Sequence, residues 1–112
     1  MAAYIIARVD VSDPAQYREY TLHTPRCIAA YGGRMIVRNG AREVLEGARD
    51  PRRIVVIEFP SMDHARRFHA SPEYAPVRKL REGASVIELL AIEGFDQADW
   101  DAAVEASSKL TL

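Results

Sequence analysis

Four polar side chains frame the chemical question in this sequence: Tyr20, His23, Arg38 and Glu58. His23 lies one turn past Glu19 and Tyr20 and just before Pro25. An imidazole beside a helix interruption is placed to move a proton near neutral pH. Glu58 supplies a carboxylate, which acts as a general base where burial raises its pKa. His23 and Glu58 are therefore the catalytic candidates, with Glu46 and Glu88 as further carboxylates. Arg38 offers a guanidinium to a carboxylate or enolate oxygen. Tyr17, Tyr20 and Tyr31 form an aromatic stripe at helical spacing. Such a stripe is either core or the wall of a pocket whose hydroxyls orient a ligand. Tyr17, Tyr20, Arg38 and Tyr74 are the substrate-binding candidates.

Other chemistries find no support. Cys27 is the single cysteine, and His64 and His69 are five apart, off a common helix face. No metal site is expected. There is no phosphate loop, no G-x-S-x-G and no flavin or nicotinamide fingerprint, so no cofactor is expected. Haem would need His23 or His69 as an axial ligand in a roomy apolar cleft.

These residues must be positioned by a small frame. The 112 residues suffice for one domain with a thin core. Tyr4 to Val9 reads as a first strand. Asp13-Pro14 starts a helix that Gly32-Gly33 ends, and Pro25 should kink or interrupt it. Arg34 to Arg38 is a second strand. Asn39-Gly40 signals a turn, and Ala41 to Glu46 offers a hairpin arm. Arg53 to Phe59 is the clearest strand. Ser61 caps a helix carrying Ala65 and Phe68, and Ser71-Pro72 restarts one whose inward residues are Tyr74, Val77, Leu80 and Arg81. Ser85 to Ile92 is the last core strand, and Asp96 to Lys109 a final helix. The order β-α-β-β-α-β is that of an α+β, ferredoxin-like fold with an antiparallel sheet. Residues 1–95 form this unit, and residues 96–112 are a C-terminal helical extension.

Strand alternation divides the sheet into two faces. Ile5, Ala7, Val9, Val55, Ile57, Phe59, Met35 and Val37 are expected under the helices. Tyr4, Ile6, Arg8, Ile36, Arg38, Ile54, Val56 and Glu58 are expected on the other face. That apolar surface is too large to leave bare on a monomer. A homodimer, sheet against sheet, is the expected assembly and these eight residues its interface. Arg8, Arg38 and Glu58 then read either as an ion network holding the interface or as the anchor for an anionic ligand.

The net charge of −1 and the scattered basic residues give no basic stripe, so no nucleic-acid partner is expected. No apolar stretch approaches a membrane span and no signal-peptide pattern opens the chain, which points to the cytoplasm. The excess of Arg over Lys fits a high-GC bacterial genome.

The segments AAYIIARVDVSDPAQYREY, IAAYGGRMIVRNG, EVLEG, RRIVVIEFPSMDHARRF, SPEYAPVRKLR and VIELLAIEG, in that order and spacing, carry a resemblance. Over residues 2–95 the chain resembles the domain-of-unknown-function family 1330 of the dimeric α+β barrel superfamily. The resemblance implies a ferredoxin-like subunit that pairs through its sheet, and no fixed reaction. Superfamily relatives include monooxygenases, isomerases, haem-degrading enzymes and stress-responsive barrels. Two readings follow. One is a dimer that binds a small anionic or carbonyl-bearing molecule between sheet and helices, acting as a cofactor-independent isomerase or monooxygenase. The other is a structural or stress-associated dimer without a substrate.

Overall fold

The computed structural model describes residues 1–112. The elements are β1 (Ala3–Val11), α1 (Pro14–Ala30), β2 (Arg34–Arg38), β3 (Arg53–Phe59), α2 (Met62–His69), α3 (Tyr74–Lys79), β4 (Ser85–Glu93) and α4 (Gln97–Ser108). The strands form one antiparallel sheet in the order β2-β3-β1-β4. This is the ferredoxin-like arrangement, with α1, α2 and α3 on one face. Caps fix the helix starts. Asp13 Oδ1 accepts the Gln16 N–H, Ser61 Oγ the His64 N–H and Ser71 Oγ the Tyr74 N–H.

Helix α1 runs through Pro25, where the sequence suggested a break. Pro25 has no N–H for the Thr21 carbonyl. The Thr24 hydroxyl donates to that carbonyl instead, at 3.4 Å, so the lost bond is partly replaced.

Registry divides the sheet as alternation requires, with one exception. Ile5, Ala7, Val9, Ile57 and Phe59 are buried beneath the helices. Tyr4, Ile6, Arg8, Ile54, Val56 and Glu58 face away, joined by Glu88, Leu90 and Ile92 of β4 through the pairs Arg8↔Glu88, Ile6↔Leu90 and Tyr4↔Ile92. The exception lies in β2. Arg34 pairs with Glu58 and Met35 with Ile57, but Val37 pairs with Val56 and Arg38 with Val55. One extra residue sits between Met35 and Val37, a β-bulge that reverses alternation beyond it. Arg38, expected on the outer face, therefore points to the helix side, and Val37 takes the outward place.

The segment after Asn39 forms no hairpin arm at 41–46. Asn39 adopts a left-handed φ of 49° and its N–H still donates to Ile54 O at 2.8 Å. The ladder stops there, because Arg42 turns back to Asn39 Oδ1 (2.7 Å) and to the Asp50 carbonyl (3.0 Å), closing the loop on itself. Leu80, expected to point inward, is 37% exposed.

Helix α4 buries no residue, and Trp100 is 56% exposed. The radius of gyration is 17.0 Å, whereas a compact chain of this length measures about 13 Å. The extension thus stands off the sheet-helix body.

The corner between α1 and β2 is tightly packed. A Cβ on Gly33 would meet Phe59 and Ile28 side-chain atoms at 2.5–2.9 Å, whereas one on Gly40 meets nothing within 4 Å. Gly33→Ala is expected to destabilise the fold by ~1–3 kcal/mol through overpacking. Gly40→Ala, measured beside it by chemical denaturation, should be close to neutral.

Candidate functional site

A cavity of about 280 Å³ lies between the sheet and the helices. Its floor is apolar: Ile5, Ala7, Val55, Ile57, Ile87 and Leu89. Its roof is the Tyr17, Tyr20, Thr24 and Ile28 face of α1, and Phe68 and Tyr74 close one end. Arg38, Asn39 and Arg53, all exposed, mark the opening.

The deep end is organised by a pair of phenols. The Tyr20 and Tyr74 hydroxyls stand 2.5 Å apart and both residues are buried. Tyr74 stacks against Phe68 with ring centroids 4.5 Å apart, and Tyr17 lies 5.4 Å from Tyr20. Two hydroxyls carry two protons, and the bond between them uses one. The second can be given to a carbonyl or anionic oxygen in the cavity. Burial, followed by the Tyr74 charge and hydrogen bond, pushes the Tyr20 phenol far above its ordinary value of 10.0; burial also raises Tyr17. Two guanidiniums frame these rings, Arg53 at 5.5 Å from the Tyr17 centroid and Arg81 at 5.3 Å from that of Tyr20. Gln16 Nε2 donates to the carbonyls of Leu80 and Glu82 at 3.1 and 2.7 Å, tying α1 to the turn that carries Arg81.

Of the residues singled out by sequence, Tyr17, Tyr20, Arg38 and Tyr74 come together around the cavity. His23 and Glu58 do not. His23 is one residue, about 100° of helix, from Thr24, and it shares a stripe with Cys27. Cys27 Sγ contacts the carbonyls of His23 and Glu73, both at 3.6 Å, so this stripe faces the start of α3. Glu58 is on the outer face, accepting from Arg34 Nε at 3.3 Å and Tyr4 Oη at 3.4 Å. There, too, Arg52 bridges Asp50 (3.0 Å) and Glu88 (2.9 Å), and Arg8 lies 4.0 Å from Asp50. Hydrogen bonds from the Arg52 side chain and N–H hold the Asp50 carboxyl down to about 2.

Arg53 was missed by the sequence reading. The signal was available: it is the next residue of the Val55, Ile57, Phe59 alternation. Arg38 needed the bulge, for which RMIVRN gives no mark. His64 and His69 are engaged separately, His64 Nδ1 with Ser61 Oγ (2.6 Å) and His69 Nε2 with Arg78 (3.3 Å). Burial, then the charges of Arg78 and Arg81, lowers the His69 pKa.

A sequence profile, that of a domain of unknown function (DUF1330), matches residues 2–95. The chain belongs to the DUF1330 family. The match stops just before α4, which begins at Gln97. Among solved structures, the DUF1330 chain is similar to a protein of unknown function from Rhodopseudomonas palustris, with 17% identity, a TM-score of 0.66 and coverage of 85% of this chain and 83% of that one. It is also similar to SnoaB, a cofactor-independent oxygenase from Streptomyces nogalater, with 20% identity, a TM-score of 0.59 and coverage of 86% and 95%. At these identities the likeness is one of fold. No protein of curated function matches the chain in sequence. No helix is long and apolar enough to cross a membrane.

The raised Tyr20 phenol has a consequence at high pH. The unfolded chain ionises its tyrosines near pH 10, while the folded state keeps Tyr20 protonated. Its contribution to stability is therefore full below pH 10 and is lost as pH rises beyond it. An ultraviolet titration is expected to show part of the tyrosine absorbance appearing only with cooperative alkaline unfolding. Tyr20→Phe should diminish that late component and cost ~1–2 kcal/mol at neutral pH, because the Tyr74 hydroxyl loses its partner.

Proposed function

We propose that the protein is a homodimer in which each subunit binds a small anionic or carbonyl-bearing organic molecule in the sheet-helix cavity and acts on it without a cofactor. The observation that carries the ligand is Arg38, turned by the bulge to the mouth of a largely apolar cavity, beside Arg53, that ends in the Tyr20–Tyr74 pair. The phenol pair gives a hydrogen bond to the ligand oxygen, and the guanidinium receives negative charge.

Of isomerisation and oxygenation, the lining supports oxygenation better. An isomerase takes a proton from carbon and returns it, and the lining holds no carboxylate and no imidazole to do so. Oxygenation of a substrate that enters already as an enolate or phenolate asks for no protein base, because that anion itself gives the electron to oxygen. The fold likeness to the oxygenase SnoaB is compatible with that choice.

The dimer rests on the outer face. Ile92 (51% exposed), Leu90 (47%) and Val37 (41%) extend the half-buried Ile6, Ile54 and Val56 into a broad apolar surface. The interface proposed is thus Tyr4, Ile6, Arg8, Ile36, Ile54, Val56 and Glu58, with Val37 in place of Arg38 and with the β4 residues added. Location in the cytoplasm accords with a free, buried Cys27.

Two substitutions separate the halves of this reading. Val56→Arg is expected to leave a species of 12.5 kDa in sedimentation equilibrium, where the native protein sediments at twice that mass. Arg38→Ala should stay dimeric. Oxygen uptake is then followed with a panel of acidic polyphenols and 1,3-dicarbonyl compounds, each at a pH where it is already ionised, with no metal or flavin added. Uptake by the native dimer that falls at least about tenfold in Arg38→Ala supports the enzyme. A native dimer that consumes no oxygen and binds none of the panel returns the protein to the structural reading.

A further inference from the structure

The charge at the cavity mouth narrows the ligand further. Arg38 and Arg53 are the only charged residues of the lining. They are diagonal neighbours on adjacent strands, since Arg38 pairs with Val55 and Arg53 precedes it by two. Such positions have Cα atoms about 7–8 Å apart and side chains on one face. Two like charges so placed repel each other, moderately where water screens them, and an anion between them relieves it. The lining offers no carboxylate to do so. Across the sheet the arginines are paired: Arg34 with Glu58, Arg52 with Asp50 and Glu88, and Arg8 with Asp50. Those carboxylates are engaged on the other side. Arg38 and Arg53 form no salt bridge, and Arg53 only stacks over Tyr17. Arg18 adds a third positive charge beside Arg53, across Tyr17 and Thr21.

Behind the guanidiniums the cavity is apolar and about 280 Å³, at the small end of ligand sites. Its other ionisable groups are phenols, and burial holds Tyr17 and Tyr20 in the protonated form. Nothing in the lining accepts a proton at neutral pH.

From this we infer that the cavity selects a molecule already ionised in solution: an aromatic or conjugated oxyanion of one or two rings, such as a carboxylate, its anionic group held between Arg38 and Arg53 and its ring body over the sheet. This rests on the reading of the cavity as a small-molecule site and adds the charge state and its two ligands. The site supplies the countercharge and does not create the anion. Selectivity for the charged form then comes from Arg38 and Arg53, and affinity for the ring body from the apolar walls.

Two probes of nearly equal shape test this: 2-naphthoate, an anion at neutral pH, and 2-naphthamide, its neutral counterpart. Titration calorimetry on the native protein is expected to give naphthoate an affinity at least roughly tenfold above naphthamide, the scale of one hydrogen bond to a charged group. Arg38→Gln and Arg53→Gln should each weaken naphthoate severalfold and leave naphthamide unchanged. The double variant should bind the two probes equally. Arg49→Gln, in the loop outside the lining, should change neither. Equal affinities in the native protein, or arginine variants that weaken both probes alike, overturn the assignment of charge while leaving the cavity as a ligand site. Failure of both probes to bind at millimolar concentration overturns the small-molecule reading itself and this inference with it. Thermal melts of each variant separate lost binding from lost folding.

Discussion

One extra residue in β2 governs what the cavity can do. Side chains alternate along a strand without exception until a bulge intervenes, and a single insertion exchanges the faces of everything beyond it. Here the exchange falls after Met35. It sends Val37 to the apolar outer face and brings Arg38 to the helix side, at the cavity mouth. Without it, the cavity would keep Arg53 and lose the second guanidinium. The bulge sits in the middle of a short edge strand, three residues before the ladder stops at Asn39, where a disrupted pair is bordered by few others.

The two faces treat arginine in opposite ways. Outside, carboxylates from three places meet it: Glu58 on β3, Glu88 on β4 and Asp50 in the β2–β3 loop. These are charges at partly exposed positions whose pairing fixes geometry more than it adds stability. Inside, arginines border aromatic rings and apolar walls with no acid among them. Both arrangements arise from the same four strands, so the sheet separates a self-neutralised surface from a positively biased cavity across the thickness of one layer.

Much of this was legible from residue types. The caps at Asp13, Ser61 and Ser71 marked helix starts, and period-two runs such as Ile5, Ala7, Val9 marked the buried face, because both are local signals that tertiary structure did not override. Of the stripe Tyr17, Tyr20 and Tyr31, the first two gave the cavity roof for the same reason, while Tyr31 instead donates to Glu73 outside the lining. What was not legible depended on pairing between distant segments. The register of β2 against β3 decides the face of Arg38, and the sequence of β2 fits either assignment. The placing of His23 turned on whether Pro25 breaks α1; the helix runs through it, packed on the sheet and α3, and the Thr24 hydroxyl partly serves the freed Thr21 carbonyl. Glu58 was assigned its face correctly by alternation, and that placement parts it from the cavity.

Helix α4 carries a different kind of consequence. It has twelve residues, none buried, and four acids, Asp96, Asp99, Asp101 and Glu105, stand within or beside it against Lys109. A lone helix of that length in water is close to the balance point between helix and coil. With Trp100 and Val104 about half exposed, little besides its own backbone bonds holds it helical. Heat or cosolvent should therefore change the helicity of this terminus first, before the sheet-helix body is touched.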